Sequence, residues 1–330
     1  MNRIALGFNL TAPIEATINY AQKAEELGYE SFWVHDSYFF RDAVSYLSGI
    51  ALHTKQIKLG SACVNTVTRH PMLTAMTFAT LDEISHQRMI LGIGLGGFPW
   101  IPKLGYKLFP FNETKPKLRL KESIHIIRAL LHGDNLNFKG QFYTVEDIGL
   151  QVVPKREIPI YIASWGQETL KMAVGIAEGV VISPGVNTVE WVRNMNRHVE
   201  ECEEKQGRKI DHASYILCSV ADKQEDAVSA MKKYPFIIYQ IADVLKPEVF
   251  KPYGVSEEHL HAVREAWRKH DMAAAAAAIP DEAITAVTLT GSPDQVLDGL
   301  ENYRKAGVEL PIITPIGDVP KAIQTFAPKQ

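Results

Sequence analysis

The sequence predicts an α/β protein and, within that class, a (β/α)8 barrel of the TIM type with insertions at the C-terminal rim. Eight short apolar runs recur along the 330 residues, at 4–8, 31–35, 57–63, 89–93, 158–163, 179–183, 214–221 and 310–314. Amphipathic stretches of helical period separate them. Each run is apolar almost throughout, as a strand covered on both faces by helices must be. An open, doubly wound sheet shares the alternation, but eight repeats fit a closed barrel better.

The elements follow in order. After the first run Thr11 can cap a helix with Pro13 in its first turn. Ile14, Ile18, Ala21, Ala24 and Leu27 then share one face, and Gly28 can stop it. The third run leads through His70-Pro71 into a helix. Residues 97–112, with Pro99, Pro102 and Pro110, read as a long loop after the fourth run. Leu118, Ile124, Ile127 and Leu131 mark the buried side of a helix over 117–131, and residues 134–155 read as a polar β-hairpin. Residues 232–280 form a large insertion, helical over 257–279, where six alanines run together. Ser292 caps the next helix with Pro293 at its first position. Val296, Leu300 and Tyr303 lie on its buried side, and Gly307 closes it. No internal repeat or long linker divides the chain, so residues 1–330 read as one barrel domain carrying the insertion 232–280.

Composition excludes several classes of function. Lys and Arg number 35 against 38 Asp and Glu, a net charge of −3, which offers no electrostatic footprint for nucleic acid or an anionic membrane. The longest apolar stretches, 213–221 and 272–279, fall well short of the ~20 residues that span a bilayer. The opening MNRIALGFNLTAPIEA turns polar too soon for a signal-peptide core. Three widely spaced cysteines argue against a disulfide framework or a zinc knuckle. A cytoplasmic enzyme acting on a small molecule is the expectation, with neither nucleic acid nor membrane as partner.

Four stations carry candidate chemistry. Gly92, Gly94 and Gly97 match the spacing of a dinucleotide fingerprint, but Phe98-Pro99-Trp100-Ile101-Pro102 cannot open the helix that fingerprint requires. Their reading is a strand end kept bare, at Gly94, so that a flat ligand can lie on backbone. His35 and Asp36 stand at the end of the second strand, on the rim where barrels build active sites. No companion His pattern supports a metal there. The loop holding Ala62, Cys63, Val64 and Asn65 leaves the third strand, and no base beside Cys63 marks it as a nucleophile. Ser164-Trp165-Gly166-Gln167 opens a helix whose first N–H groups suit a phosphate, although Glu168 can instead serve as an internal cap.

Together these stations resemble the bacterial luciferase-like superfamily, closest to the methylenetetrahydromethanopterin reductase branch and its deazaflavin-dependent relatives. The shared text runs through Trp33-Val34-x-Asp36, Tyr38, Arg41, Lys58-Leu59-Gly60, Thr68-Arg69-x-Pro71 and the 79–85 segment. It continues in Leu91-Gly92-Ile93-Gly94-x-Gly96, Gly140-x-Phe142-Tyr143, Pro159-Ile-Tyr-Ile-Ala163 and Gly291-Ser-Pro-Asp294. The resemblance implies a barrel holding a flavin or deazaflavin at its C-terminal rim, in a homodimer. It implies a cis peptide at Ala62–Cys63, with Ala62, Cys63, Val64 and Asn65 against the ring. The residues themselves add that Gly166 and Gln167 donate main-chain N–H groups to the cofactor phosphate with Trp165 walling the pocket, and that His35 or Asp36, the titratable groups left at the rim, contacts cofactor or substrate and supplies the proton. Coenzyme F420 is the expected cofactor, its polyglutamate tail trailing into solvent. The expected activity is hydride transfer to a small organic substrate, as in a methylenetetrahydromethanopterin reductase. FMN in a luciferase-like monooxygenase is the alternative. Gly97 stands where reductases of this branch carry an acid, and Ser37 where many carry His.

Overall fold

The computed structural model describes residues 3–9, 11–36, 40–96 and 115–328. Ser37, Tyr38, Gly97 and the loop expected at 97–112 lie outside the described residues. All eight apolar runs form strands. The elements are β1 (Ala5–Phe8), α1 (Ile14–Glu26), β2 (Ser31–Val34), α2 (Ala43–His53), β3 (Lys58–Ser61), β4 (Val64–Asn65), α3 (Pro71–Ile84) and β5 (Met89–Gly94). There follow α4 (Pro116–His132), the hairpin β6 (Leu136–Lys139) and β7 (Thr144–Ile148), β8 (Ile160–Ser164), α5 (Gln167–Ile176), β9 (Gly179–Gly185) and α6 (Val189–Gln206). The chain continues through β10 (Asp211–Val220), α7 (Gln224–Lys232), α8 (Pro235–Tyr239), α9 (Glu257–Arg268), α10 (Met272–Ala278) and α11 (Asp281–Val287). It closes with β11 (Leu289–Gly291), α12 (Pro293–Lys305), β12 (Leu310–Pro315) and α13 (Val319–Thr325).

The main sheet runs β10-β12-β1-β2-β3-β5-β8-β9, and a β9–β10 pairing closes it. This is the expected (β/α)8 barrel. The short β4 prolongs the third barrel strand and pairs with β5, Val64 opposite Ile93 and Asn65 opposite Gly94. β11 adds to the end of β10, and β6 and β7 pair with each other alone. The chain divides into two compact units, residues 7–181 with 199–211, and residues 1–6, 182–198 and 212–330. Among the described residues no helix is long and apolar enough to cross a membrane.

In the first unit, β2 sends Trp33 inward, fully buried, and β8 sends Tyr161 to meet it edge-on at 5.5 Å between ring centres. Two bulky rings fit because the strands beside them carry glycine. A Cβ at Gly60 would sit 2.4 Å from the Trp33 ring, one at Gly179 2.4 Å from Tyr161, and one at Gly92 1.9 Å from the Ser61 carbonyl oxygen. Gly92 is therefore bare for the protein's own core. At the opposite end of the strands Arg88 is buried, donating to the carbonyls of Ala51, Thr54, Ile57 and Ser85 and to the Thr54 hydroxyl. It thereby ties α2, α3 and the start of β3 together.

In the second unit the residues of 232–280 build a helical layer. Ile237, Ile241, Phe250, Leu260, Val263 and Ile279 share one buried cluster with Val186, just past β9, and Leu217 in the second half of β10. The helices expected over 257–279 form as α9 and α10. Residues 235–253 are helical as well, in short α, π and 3-10 turns. Pro235, Pro247 and Pro252 cut that stretch into pieces too short to show a period. Ser292 caps α12 in a full capping box with Gln295, and Val296, Leu300 and Tyr303 are buried as expected. Thr11 does not cap α1. Pro13 takes the cap position, its carbonyl accepting from Thr17 N and Oγ1, and Thr17 rather than Ile14 is buried against the core.

The packing makes one substitution decisive. Gly92→Ala forces a methyl into backbone rather than into a yielding side chain, so it should cost several kcal/mol. The denaturant midpoint should fall steeply, and a wild-type midpoint would contradict this account of the barrel interior.

Candidate active site

The expected site residues gather on the C-terminal ends of adjacent strands within the first unit. β2 ends at Val34 and releases His35 and Asp36. The Ala62–Cys63 peptide, cis as the resemblance implied, separates β3 from β4. Asn65 lies opposite Gly94, and Gly94 opposite Ala163 on β8, so three strand ends stand side by side. A Cβ at Gly94 would come 2.8 Å from Cys63 Sγ. The bareness of Gly94 thus accommodates the thiol, which places Cys63 directly against this strand end. Trp165 follows β8 with about half its surface exposed, and Gly166 is the extended cap residue of α5.

Burial sets the charge states here. The His35 main chain continues the sheet, donating to the Phe8 carbonyl at 3.0 Å. Desolvation pushes its imidazole down to about 4, so the ring is neutral at pH 7. His35 therefore stands at the rim as a neutral ring. Burial and the Asp36 charge push the Cys63 thiol up to about 12, so it is no thiolate nucleophile. Burial raises Asp36 above the usual carboxylate range, with Arg69 pulling it back and Asp42 adding to the rise. Among the described residues no cluster of three or more metal-ligating side chains exists.

Two of the expected site residues also serve the local backbone. Asn65 Oδ1 accepts from Val67 N and Thr68 N, each at 3.0 Å, and from Thr68 Oγ1 at 3.3 Å. That oxygen builds the turn after β4. The Gly166 N–H donates to Ser164 Oγ at 3.1 Å, because a hydroxyl two residues back competes for it. The Gly166 N–H is thereby engaged within its own loop.

The fold also supplies partners that lie far apart in sequence. Lys117 on α4 comes within 3.8 Å of Glu168, placing a cation beside the start of α5 and turning Glu168 outward. The Tyr143 hydroxyl reaches the Thr66 carbonyl at 3.4 Å, and its ring meets His70, the cap of α3, edge-on at 5.2 Å. Glu122 anchors the same hairpin tip by accepting from Gln141 N and Phe142 N. Only the Gly140-x-Phe142-Tyr143 motif hinted at this brace.

The profile of the luciferase-like monooxygenase family matches residues 2–310. The chain belongs to this family. It is 30% identical to the 5,10-methylenetetrahydromethanopterin reductase of Archaeoglobus fulgidus over 311 residues, 92% of this chain and 91% of that one. It is 26% identical to the F420-dependent glucose-6-phosphate dehydrogenase of Amycolatopsis mediterranei, over 88% of this chain and 85% of the relative. The solved structure of the coenzyme F420-dependent tetrahydromethanopterin reductase from Methanopyrus kandleri superposes with a TM-score of 0.88 at 26% identity, covering 98% of this chain and 97% of that one. The resemblance read from the motifs therefore holds over nearly the whole chain.

The neutral His35 has a measurable consequence. Between about pH 6.5 and about 4 the unfolded chain binds a proton there that the folded chain does not, so stability falls as pH drops through this window. The loss is on the order of 3 kcal/mol at most. In urea titrations across this range His35→Gln should show a flatter acid limb than the parent. An identical limb would mean that His35 is not held neutral.

Proposed function

We propose that this protein is an oxidoreductase that transfers a hydride between coenzyme F420 and a small organic substrate, in the manner of the methylenetetrahydromethanopterin reductases. The observation that carries the reading is the similarity, over about nine-tenths of the chain, to relatives named for F420 or for the pterin reductase. Those relatives differ in substrate, so the cofactor is the firmer part of the reading.

The residues present fit such a group. Cys63 packed on Gly94 makes a neutral backing, Trp165 offers an exposed aromatic wall, and the first turn of α5 with Lys117 beside it favours an anion. Bound there, the deazaflavin supplies an obligate hydride carrier with carbon in place of the reactive ring nitrogen. The chain's own part is binding, orientation and proton handling. Ala62, Cys63, Val64 and Gly94 support the ring through apolar and main-chain surface. Gln167 N–H and the α5 dipole offset phosphate charge. Asp36, its carboxyl raised by burial, takes or gives a proton at Oδ2. His35 contributes a buried neutral ring beside it.

Residues 1–330 act as one barrel domain in this reading, because β1 and β9 each contribute residues to both units. No disulfide joins the three cysteines, which suits a reducing cytoplasm. The protein works as a homodimer. Leu52 on α2 and Leu73 and Met76 on α3 turn apolar side chains outward, each more than half exposed, and such a face calls for a partner.

Titration of the apo-protein should give tighter binding of F420 than of FMN. Gln167→Pro keeps α5, since proline suits a first helical position and Gly166 is already extended, yet removes one donor. It should weaken F420 binding about tenfold. Tighter FMN binding with oxygen consumption on reduction would instead establish a monooxygenase, and unchanged F420 affinity in the variant would displace the phosphate from α5. Light scattering should find a dimer that Leu73→Glu with Met76→Glu converts to monomers. A monomeric parent protein at micromolar concentration would exclude the homodimer.

A further inference from the structure

Arg69 lies between β4 and α3, and its guanidinium is divided between two carboxylates. One terminal nitrogen donates to Asp42 Oδ2 at 2.8 Å, whereas Nε stands 3.8 Å from Asp36 Oδ2. Asp42 is itself fixed, since Oδ1 caps α2 by accepting from Ser45 N and Ser45 Oγ at 2.8 Å each. The more buried carboxylate, Asp36 at 15% exposure, thus has the looser contact, and the half-exposed Asp42 has the tighter one.

We propose that Arg69 is a positioning residue for Asp36, held at its distance by Asp42, and that this arrangement lets Asp36 exchange a proton at the rim. The inference rests on the proton-handling role proposed for Asp36. In a site of low effective dielectric, an opposite charge at close range acts several times more strongly than in water. Were Arg69 to close onto Asp36 in a bidentate pair, the carboxylate would be locked in its charged form. Without Arg69, burial and the Asp42 charge would push it further toward its protonated form. The observed separation lies between these limits. Among the described residues, the other titratable groups beside Asp36 carry no charge at neutral pH: the Cys63 thiol on the bend after β3, and the adjoining His35 ring. Arg41 turns away to donate to the Thr11 carbonyl at 3.0 Å.

The test follows the Asp36 carboxyl carbon by NMR during a pH titration of 13C-aspartate-labelled apo-protein, the signal being assigned by its loss in Asp36→Asn. Arg69→Met should move the Asp36 midpoint upward. Asp42→Asn should move it downward, because asparagine still caps α2 while one like charge is removed and Arg69 is released toward Asp36. Arg69→Lys, which keeps a cation, should return the midpoint toward the parent value. A purely structural Arg69 would leave the midpoint in place or shift it alike in the Arg69→Met and Asp42→Asn proteins, and either result overturns the proposal. Turnover of the F420-loaded enzyme is a separate readout. If Asp36→Asn retained full activity while the opposed shifts persisted, the catalytic role of Asp36 would fall and the Arg69 assignment would stand.

Discussion

The burial of Trp33 is the constraint on which the site depends. Its ring occupies the space above Gly60 and Gly92, so β2, β3 and β5 can approach only where those positions have no side chain. The Trp33 indole N–H is satisfied locally by Ser31 Oγ at 2.9 Å, which leaves the ring free to serve as apolar filling. Ser61 Oγ then bonds both the N–H and the carbonyl of Gly92, fixing β3 against β5 at the same level. Asp36, the Ala62–Cys63 bend and Gly94 all leave the sheet just beyond this layer. Their mutual placement is a consequence of how that layer packs.

Low polarity at the rim has a common electrostatic result. His35 and Cys63, which titrate near or above neutrality in water, are both held uncharged by the same burial. Among the described residues, the charge at the rim sits in the Asp36–Arg69–Asp42 group, with Lys117 and Glu168 beside α5 as a second, more exposed pair. A hydride carrier is well served by such surroundings. Neutral neighbours do not compete for protons.

Much of the barrel was legible before the structure. The eight apolar runs became strands because burial on both faces imposes a composition that needs no knowledge of neighbours. Ser292-Pro293 with Gln295 was readable for the same reason, since a capping box is complete within four residues. What the sequence did not show depended on competition. Thr11 lost the α1 cap to Pro13, and the Ser164 hydroxyl takes up the Gly166 N–H. Nor could the sequence show why Gly92 is bare, since the Trp33 ring and the Ser61 carbonyl fill the space beside it only once the strands close. The prolines of 235–253 hid helical turns that became visible only once Ile237, Ile241 and Phe250 were seen to share a core.

By itself, then, the sequence determined which segments are strands and helices, how many βα repeats alternate, and which family the chain joins. Those are properties of local periodicity, of turn chemistry and of short motifs. It also named the strand ends where chemistry gathers, because in a barrel the rim is defined by chain direction alone. Only the tertiary structure decided what those residues do to one another. Arg69 meets Asp42 and Asp36, Lys117 meets Glu168, and Tyr143 meets Thr66 across separations that no periodicity encodes. Charge states at the site belong to the same category. An aspartate, a histidine or a cysteine has an ordinary proton affinity as a letter in a sequence, and burial and distance alter it only when the strands close around it.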